Sequence, residues 1–388
     1  MSVASARDRL AALLARADVV LDGDRPWDIR VNDPRMPLRV LLSGSLGAGE
    51  TYMDGWWDCD ALDDMLTRAL RASIDQRLSH PERLVAGVLT WLRNPQGGRR
   101  AFMVGQRHYD IGDDLYRRML DRRMIYSCAY WRGANTLDEA QEDKLDLVCR
   151  KLGLQRGMRV LDIGCGWGGA ARFAAERYGV SVTGITVSRN QAAAARETCS
   201  GLPVEIRLED YRSHTGSHAG SHTAAHTAAR DGRYDRILSL GMFEHVGERN
   251  YGVYLKKVRE LLVDDGLFLL HTIGANVATH GTDPWIERYI FPNSHLPSHS
   301  QIARAAEPHW VIEDWHSFGL DYDTTLQRWS QNISQRWHEI AHRYNERFQR
   351  MWHYWLMASA ASFRARRNQV WQIVMSPTGR LGGYSEVR

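Results

Sequence analysis

The stretch Met158-Arg-Val-Leu-Asp-Ile-Gly-Cys-Gly-Trp-Gly-Gly constrains the fold more than any other part of the chain. Val160, Leu161 and Ile163 form a short apolar run suited to a buried strand, and an Ala-rich helical pattern follows at 170–177. Between them, Gly164, Gly166 and Gly168 let the backbone take positive φ and pass close to a ligand without a Cβ clash. Strand, tight turn and helix in that order point the positive end of a helix dipole at whatever lies over the turn.

Gly164, Gly166 and Gly169 also satisfy the G-x-G-x-x-G of dinucleotide folds. Those folds want an acid about 20 positions further on for the ribose, and nothing between Glu176 and Glu197 is acidic. Asp162 instead completes an L-D-x-G-x-G-x-G order that resembles the cofactor turn of S-adenosylmethionine methyltransferases. Strand-like runs at 159–163, 181–187, 204–208, 234–240 and 266–273 alternate with helical patterns. The alternation predicts an α/β fold with a doubly wound, Rossmann-like parallel sheet and helical additions. Ser188 followed by Gln191 is a capping-box signal for a helix at 189–199, so Thr186 and Gln191 fall at a strand end and a first helical turn beside the cofactor. Asp210 and Tyr211, after the third strand, are expected near the adenine.

A chain of 388 residues has room for two or three domains. Residues 1–93 read as a smaller, mainly helical module, a candidate for lipid docking or dimerisation. It has a helix at 6–20, Pro26, Pro34 and Pro37 in extended connections, and Leu62, Met65, Leu66, Leu70 and Ile74 on one helical face. The Gly-rich run from Ser43 to Trp57 lacks the G-K-[S/T] ending of a phosphate loop, so a turn feeding an aromatic core helix is expected. Asn94-Pro-Gln-Gly-Gly-Arg-Arg marks a linker at 94–105, and His108, Tyr109, Asp110 and Asp114 open the catalytic domain at 106–388. Residues 213–232 carry His214, His218, His222 and His226 at four-residue spacing, but their Gly, Ser and Thr content favours a disordered insertion over a metal ladder, and no metal is expected. The C-terminal third reads as helix, with an aromatic stripe from Leu326 to Trp355 and Arg343, Arg347, Arg350, Arg364, Arg366 and Arg367 as candidates for a basic rim.

The net charge of +4 favours anionic surfaces such as phospholipid headgroups and is too small to argue for nucleic acid. Fourteen Trp and fifteen Tyr suit membrane interfaces and apolar clefts. Five widely spaced cysteines without a C-x-x-C pair indicate neither a disulfide framework nor a zinc site, which fits a reducing cytoplasm. No apolar run reaches 18 residues, so a cytoplasmic protein docking reversibly on the inner face of the membrane is expected.

Glu244 and His271 end the fourth and fifth strands, so they face one cleft if those strands are neighbours. Together with this pair, Tyr126-Ser-Cys-Ala-Tyr-Trp, the glycine turn, Gly241-Met-Phe-Glu-His-Val-Gly, Leu270-His-Thr-Ile-Gly, Asp283-Pro-Trp-Ile, Tyr289-Ile-Phe-Pro and Asp321-Tyr-Asp-Thr-Thr-Leu resemble cyclopropane-fatty-acyl-phospholipid synthases over nearly the whole chain. The resemblance implies methyl transfer from S-adenosylmethionine to a cis double bond of a phospholipid acyl chain, then deprotonation and ring closure. It implies bicarbonate as the base, held by Cys128, Glu244, His271, the backbone at Ile273, and Tyr322, with Tyr126 and Ser127 closing over the cofactor. It also suggests a homodimer. A relative that yields a methyl-branched or methylene product, and a lipid-binding protein without catalysis, remain alternatives.

Overall fold

The computed structural model describes residues 2–78, 112–216, 232–279 and 281–388. The expected linker at 94–105, His108, Tyr109 and Asp110, and His218, His222 and His226 lie outside the described residues. Two short strands, β1 (Arg30–Val31) and β2 (Trp57–Asp58), pair antiparallel. The main sheet contains β3 (Arg159–Ile163), β4 (Ser181–Thr186), β5 (Val204–Leu208), β6 (Tyr234–Leu240), β7 (Leu262–Ala275), β8 (Val311–Ser317) and β9 (Asn368–Ser376), in the order β5-β4-β3-β6-β7-β9-β8.

The first five of these strands run parallel, but β9 lies antiparallel between β7 and β8. The expectation of a parallel sheet is corrected to a mixed one. The cause is the path of the chain: β9 starts opposite Ala275, at the end of β7, and so must run back against it. The C-terminal third is likewise not all helix. Two helices, Leu320–Arg336 and Glu346–Arg364, carry most of the aromatic stripe, Trp337 and Tyr344 lying in the connection between them, with β8 before and β9 after.

Alternating side chains divide the core between the two sheet faces. Val160, Leu238 and Leu269 pack on the helices Leu137–Lys151 and Gly169–Tyr178, while Leu161, Ile237 and Phe268 pack on Tyr251–Leu261. A third cluster joins the chain's two ends: Leu10, Met53, Leu62 and Met65 share it with Trp285, Trp352, Trp355 and Leu356.

The Gly-rich run is not a turn but part of a long helix, Met36–Met53, bent where Gly44 takes a φ of 56°. Its glycines are there for close packing. A Cβ at Gly49 would collide with the Trp285 ring, and one at Gly47 with the Arg39 carbonyl. The expected basic rim is also largely spent on ion pairs. Arg343 pairs with Asp114, Arg347 with Asp54, Arg350 with Asp58, Arg364 with Asp63 and Asp323, and Arg367 with Asp75. Four of these six pairs fasten the C-terminal helix and Arg367 just beyond it to residues 54–75. Arg366 alone of the six has no ion pair among the described residues.

Within the expected insertion, His214 is buried, with Nδ1 3.1 Å from Glu209 and Nε2 3.0 Å from the Tyr234 hydroxyl. Residues 213–216 therefore belong to the folded sheet edge. No helix among the described residues is long and apolar enough to cross a membrane.

Candidate active site

After β3 the chain turns through Gly164, Gly166 and Gly168 (φ 88°, 54° and 84°) into the helix Gly169–Tyr178. A pocket of ≈ 170 Å³ lies over this turn. Tyr126, Ser127, Asp162, Gly164, Gly166, Thr186, Gln191, Asp210 and Tyr211 all line it. Gly168 lies apart from these residues, because it packs away from the pocket, where a Cβ would meet Cys199 Sγ at 2.9 Å. It serves the tightness of the turn rather than the lining.

Asp162 is fully buried at the pocket floor, and its Oδ2 has no hydrogen-bond partner among the described residues. Burial pushes its carboxyl up to about 7 against the opposing pull of Lys144. A buried carboxyl in that state gains its partner from a cationic ligand group, which suits the ammonium and sulfonium of S-adenosylmethionine. Thr186 Oγ1 donates to Gln191 Oε1 at 3.0 Å, while Asp210 is paired with Arg212 at 2.9 Å. Glu209, Trp167 and His245 also line the pocket and were not foreseen. Glu209 lies one residue past the end of β5, where an acid after the third strand was the available signal.

A second cavity, of ≈ 1100 Å³, extends from this pocket towards the N-terminal helices. Leu10, Met36, Val40, Met65 and Ile74 form its apolar reach, and Leu326, Trp355 and Phe363 close the opposite wall. Tyr126, Ser127, Gly241 and His245 belong to both linings, so the two spaces meet there. Tyr126 is braced by Tyr116 and Trp329, with ring centroids 5.1 and 5.3 Å away.

Cys128, Glu244, His271, Ile273 and Tyr322 all face the large cavity close to this junction. β6 and β7 are neighbours, with Leu240 opposite His271, which brings Glu244 beside the end of β7. Glu244 Oε1 accepts from Ile273 N at 2.7 Å, whereas Oε2 is buried without a partner among the described residues. The Ile273 N–H is thereby taken, and its carbonyl accepts from Thr272 Oγ1 at 2.9 Å. Burial lifts Glu244 to about 7 and drives His271 far below the usual histidine range, so His271 is neutral. The same burial holds the Cys128 thiol protonated, and it donates to the Ala129 carbonyl at 3.2 Å. Two residues of the 321–326 motif hold this strip in place: Ala129 N donates to Thr325 Oγ1, and Trp131 N to Asp321 at 2.8 Å.

A glycine cradle after the first parallel strand and a cleft at the strand ends define the class I methyltransferase fold. A coclaurine N-methyltransferase structure shares that fold with a TM-score of 0.67 over 84% of this chain and 98% of its own, at 21% identity. The chain belongs to the mycolic acid cyclopropane synthetase family, whose model matches residues 98–373. It is 50% identical to the Escherichia coli cyclopropane-fatty-acyl-phospholipid synthase over 94% of this chain and 91% of that protein. A probable fatty acid methyltransferase of Pseudomonas putida is 37% identical over 79% of this chain and 73% of its own. Among solved structures, a mycolic acid cyclopropane synthase complexed with SAH and CTAB is 32% identical with a TM-score of 0.62, covering 71% of this chain and 97% of its own.

Proposed function

We propose that the protein transfers the methyl group of S-adenosylmethionine to a cis double bond of an unsaturated phospholipid acyl chain and closes a cyclopropane ring, with bound bicarbonate as base. The observation that carries this is the junction at Tyr126, Ser127, Gly241 and His245 of a small polar pocket and a large apolar cavity. The alkene π pair attacks the methyl carbon, the S–C bond breaks with its electrons on sulfur, and a carbocation remains on the chain. A methyl proton then leaves to a base while its C–H pair closes the ring, for a net gain of one CH2.

Bicarbonate, when bound, supplies the oxygen basic enough for that proton. The residues fit a small oxyanion: Glu244 keeps an orphaned oxygen, His271 is neutral, and Tyr322 lines the same cavity. Protonated Glu244 and the His271 and Tyr322 side chains can orient it by donation. The protonated Cys128 thiol, turned to a backbone carbonyl, is no nucleophile for the cation. The aromatic wall around Tyr126 keeps water from quenching it. Mass spectrometry and proton NMR of lipids from an expressing host are expected to give one added CH2 per unsaturated chain with cyclopropane ring protons. A methyl-branched or methylene product would overturn the ring closure.

Docking on anionic phospholipid belongs to the same reading. Val277, 72% exposed, and Arg366 stand at the cavity's rim, and Asn276 Nδ2 donates to the Arg366 carbonyl at 2.6 Å. Flotation with anionic vesicles is expected to weaken as salt rises and to weaken further in Arg366→Glu. Salt-insensitive binding would count against this surface.

A further inference from the structure

Lys144 lies on the inner face of the Leu137–Lys151 helix and is completely buried, at 0% exposure. Its Nζ donates to Ser127 Oγ at 2.9 Å, and its partner is thus a neutral hydroxyl. One turn earlier, Gln141 Nε2 donates to the Ser127 carbonyl at 2.9 Å. Ser127 lines both the cofactor pocket and the large cavity, and Cys128 follows it on the cavity side. An ammonium therefore stands one hydroxyl behind the wall that divides methyl donor from acyl chain.

Burying an ammonium without a carboxylate in contact is costly, and an apolar residue at this helical position would pack without that cost. Asp121, the acid nearest in sequence to the wall, is engaged by the backbone N–H groups of Arg123 and Ile125. Lys144 also pulls on the Asp162 carboxyl, but from a distance and against that carboxyl's burial. The residues assigned to the oxyanion bring no cation of their own: Cys128 is a thiol, His271 is neutral, and Tyr322 brings only a hydroxyl. A buried anion needs an opposite charge, and the charge of Lys144 is felt at both Cys128 and His271.

We propose that Lys144 is the counter-charge of the oxyanion site and acts through the Ser127 hydroxyl to hold a small oxyanion beside Cys128, Glu244 and His271. This rests on the bicarbonate reading above. Because Nζ donates to Ser127 Oγ, the hydroxyl's own proton is free to be donated to the anion. Acting through a hydroxyl, the cation attracts the anion without donating a proton to it directly, so the oxygen that must accept a proton keeps its basicity. Lys144 is a positioning residue in this scheme, since it touches neither substrate.

The test is calorimetric titration of bicarbonate in CO2-depleted buffer with S-adenosylhomocysteine bound, so that nothing turns over. Lys144→Met is expected to weaken bicarbonate by about tenfold or more while S-adenosylhomocysteine affinity changes by less than about threefold. Lys144→Arg is expected to recover part of the loss, and Gln141→Leu, which removes a pin of the same wall without removing charge, to lose less. Unchanged bicarbonate affinity in folded Lys144→Met overturns the proposal, as does equal loss of both ligands, which would make Lys144 a support of the wall and nothing more. Should Lys144→Met not fold, Ser127→Ala decides: weaker bicarbonate binding supports the proposal, and wild-type affinity overturns it. A wild-type protein that binds no bicarbonate and turns over equally well without it overturns the base assignment itself, and the proposal with it.

Discussion

The cofactor pocket takes its walls from the ends of β3, β4, β5 and β6, the turns that follow them and the short strip 124–127, whereas the acyl cavity joins residues as distant as Leu10 and Phe363. The first is specified by short-range chemistry: a glycine at positive φ, a strand end, a capping serine. The second exists only when the Met36–Met53 and Leu62–Arg71 helices meet the Glu346–Arg364 helix. Changes at the pocket are thus expected to act on ligands, and changes along the seam of the cavity on stability.

The largest effect tests the junction between the two. Glu244→Ala or His271→Ala is expected to lower turnover by about a hundredfold or more while leaving S-adenosylhomocysteine affinity nearly intact, since both residues line the cavity and not the pocket. Calorimetry on the folded variants separates the two outcomes, and loss of cofactor binding would merge regions that the structure keeps apart.

Next is the pocket floor. Asp162 is protonated below about 7, and a cationic ligand prefers the carboxylate. S-adenosylmethionine affinity is therefore expected to rise as pH climbs through that value, and Asp162→Asn to bind about tenfold more weakly at pH 8 with that rise lost. A pH-independent affinity in the wild type would remove Asp162 from the binding of charge.

Along the seam, Arg350 donates to the Tyr52 and Trp57 carbonyls and to Asp58 at 2.6 to 2.9 Å, with its side chain 19% exposed. Arg350→Ala is expected to cost roughly 2 kcal/mol, visible in denaturant melts. Arg343, 51% exposed and paired with Asp114, is expected to cost under about 1 kcal/mol when replaced by Ala. Similar losses for the two would mean that burial does not govern the seam.

The smallest effect concerns the histidine repeat. Its composition predicts that excising 217–231 and rejoining the ends with a short linker leaves melting temperature and turnover almost unchanged. His214→Ala, by comparison, is expected to cost about 1–2 kcal/mol, because it leaves the buried Tyr234 hydroxyl without that partner.

These contrasts explain what could be read from the sequence. Asp162, the glycine turn, Thr186 and Gln191 announce themselves within about thirty residues, and Glu244 and His271 follow once β6 and β7 are taken as neighbours. β9 escaped notice because Val370-Trp-Gln-Ile-Val-Met is a short apolar run whose period does not separate strand from buried helix. The helical Gly49 resembled a loop residue because its reason, the Trp285 ring, lies more than two hundred residues away. Lys144 left a fainter trace: Leu137, Ala140, Gln141, Lys144, Val148 and Lys151 trace one helical stripe, in which the buried Gln141 and Lys144 mark the wall they support.

The narrow overlap of the two linings also bears on kinetics. Tyr126, Ser127, Gly241 and His245 are the ground that both substrates share, and the remainder of each lining belongs to one of them. An acyl chain lying in its cavity leaves Asp162, Thr186 and Gln191 uncovered, so neither ligand's seat has to be filled before the other's. In the language of rate laws this is the architecture of a ternary complex with no compulsory order.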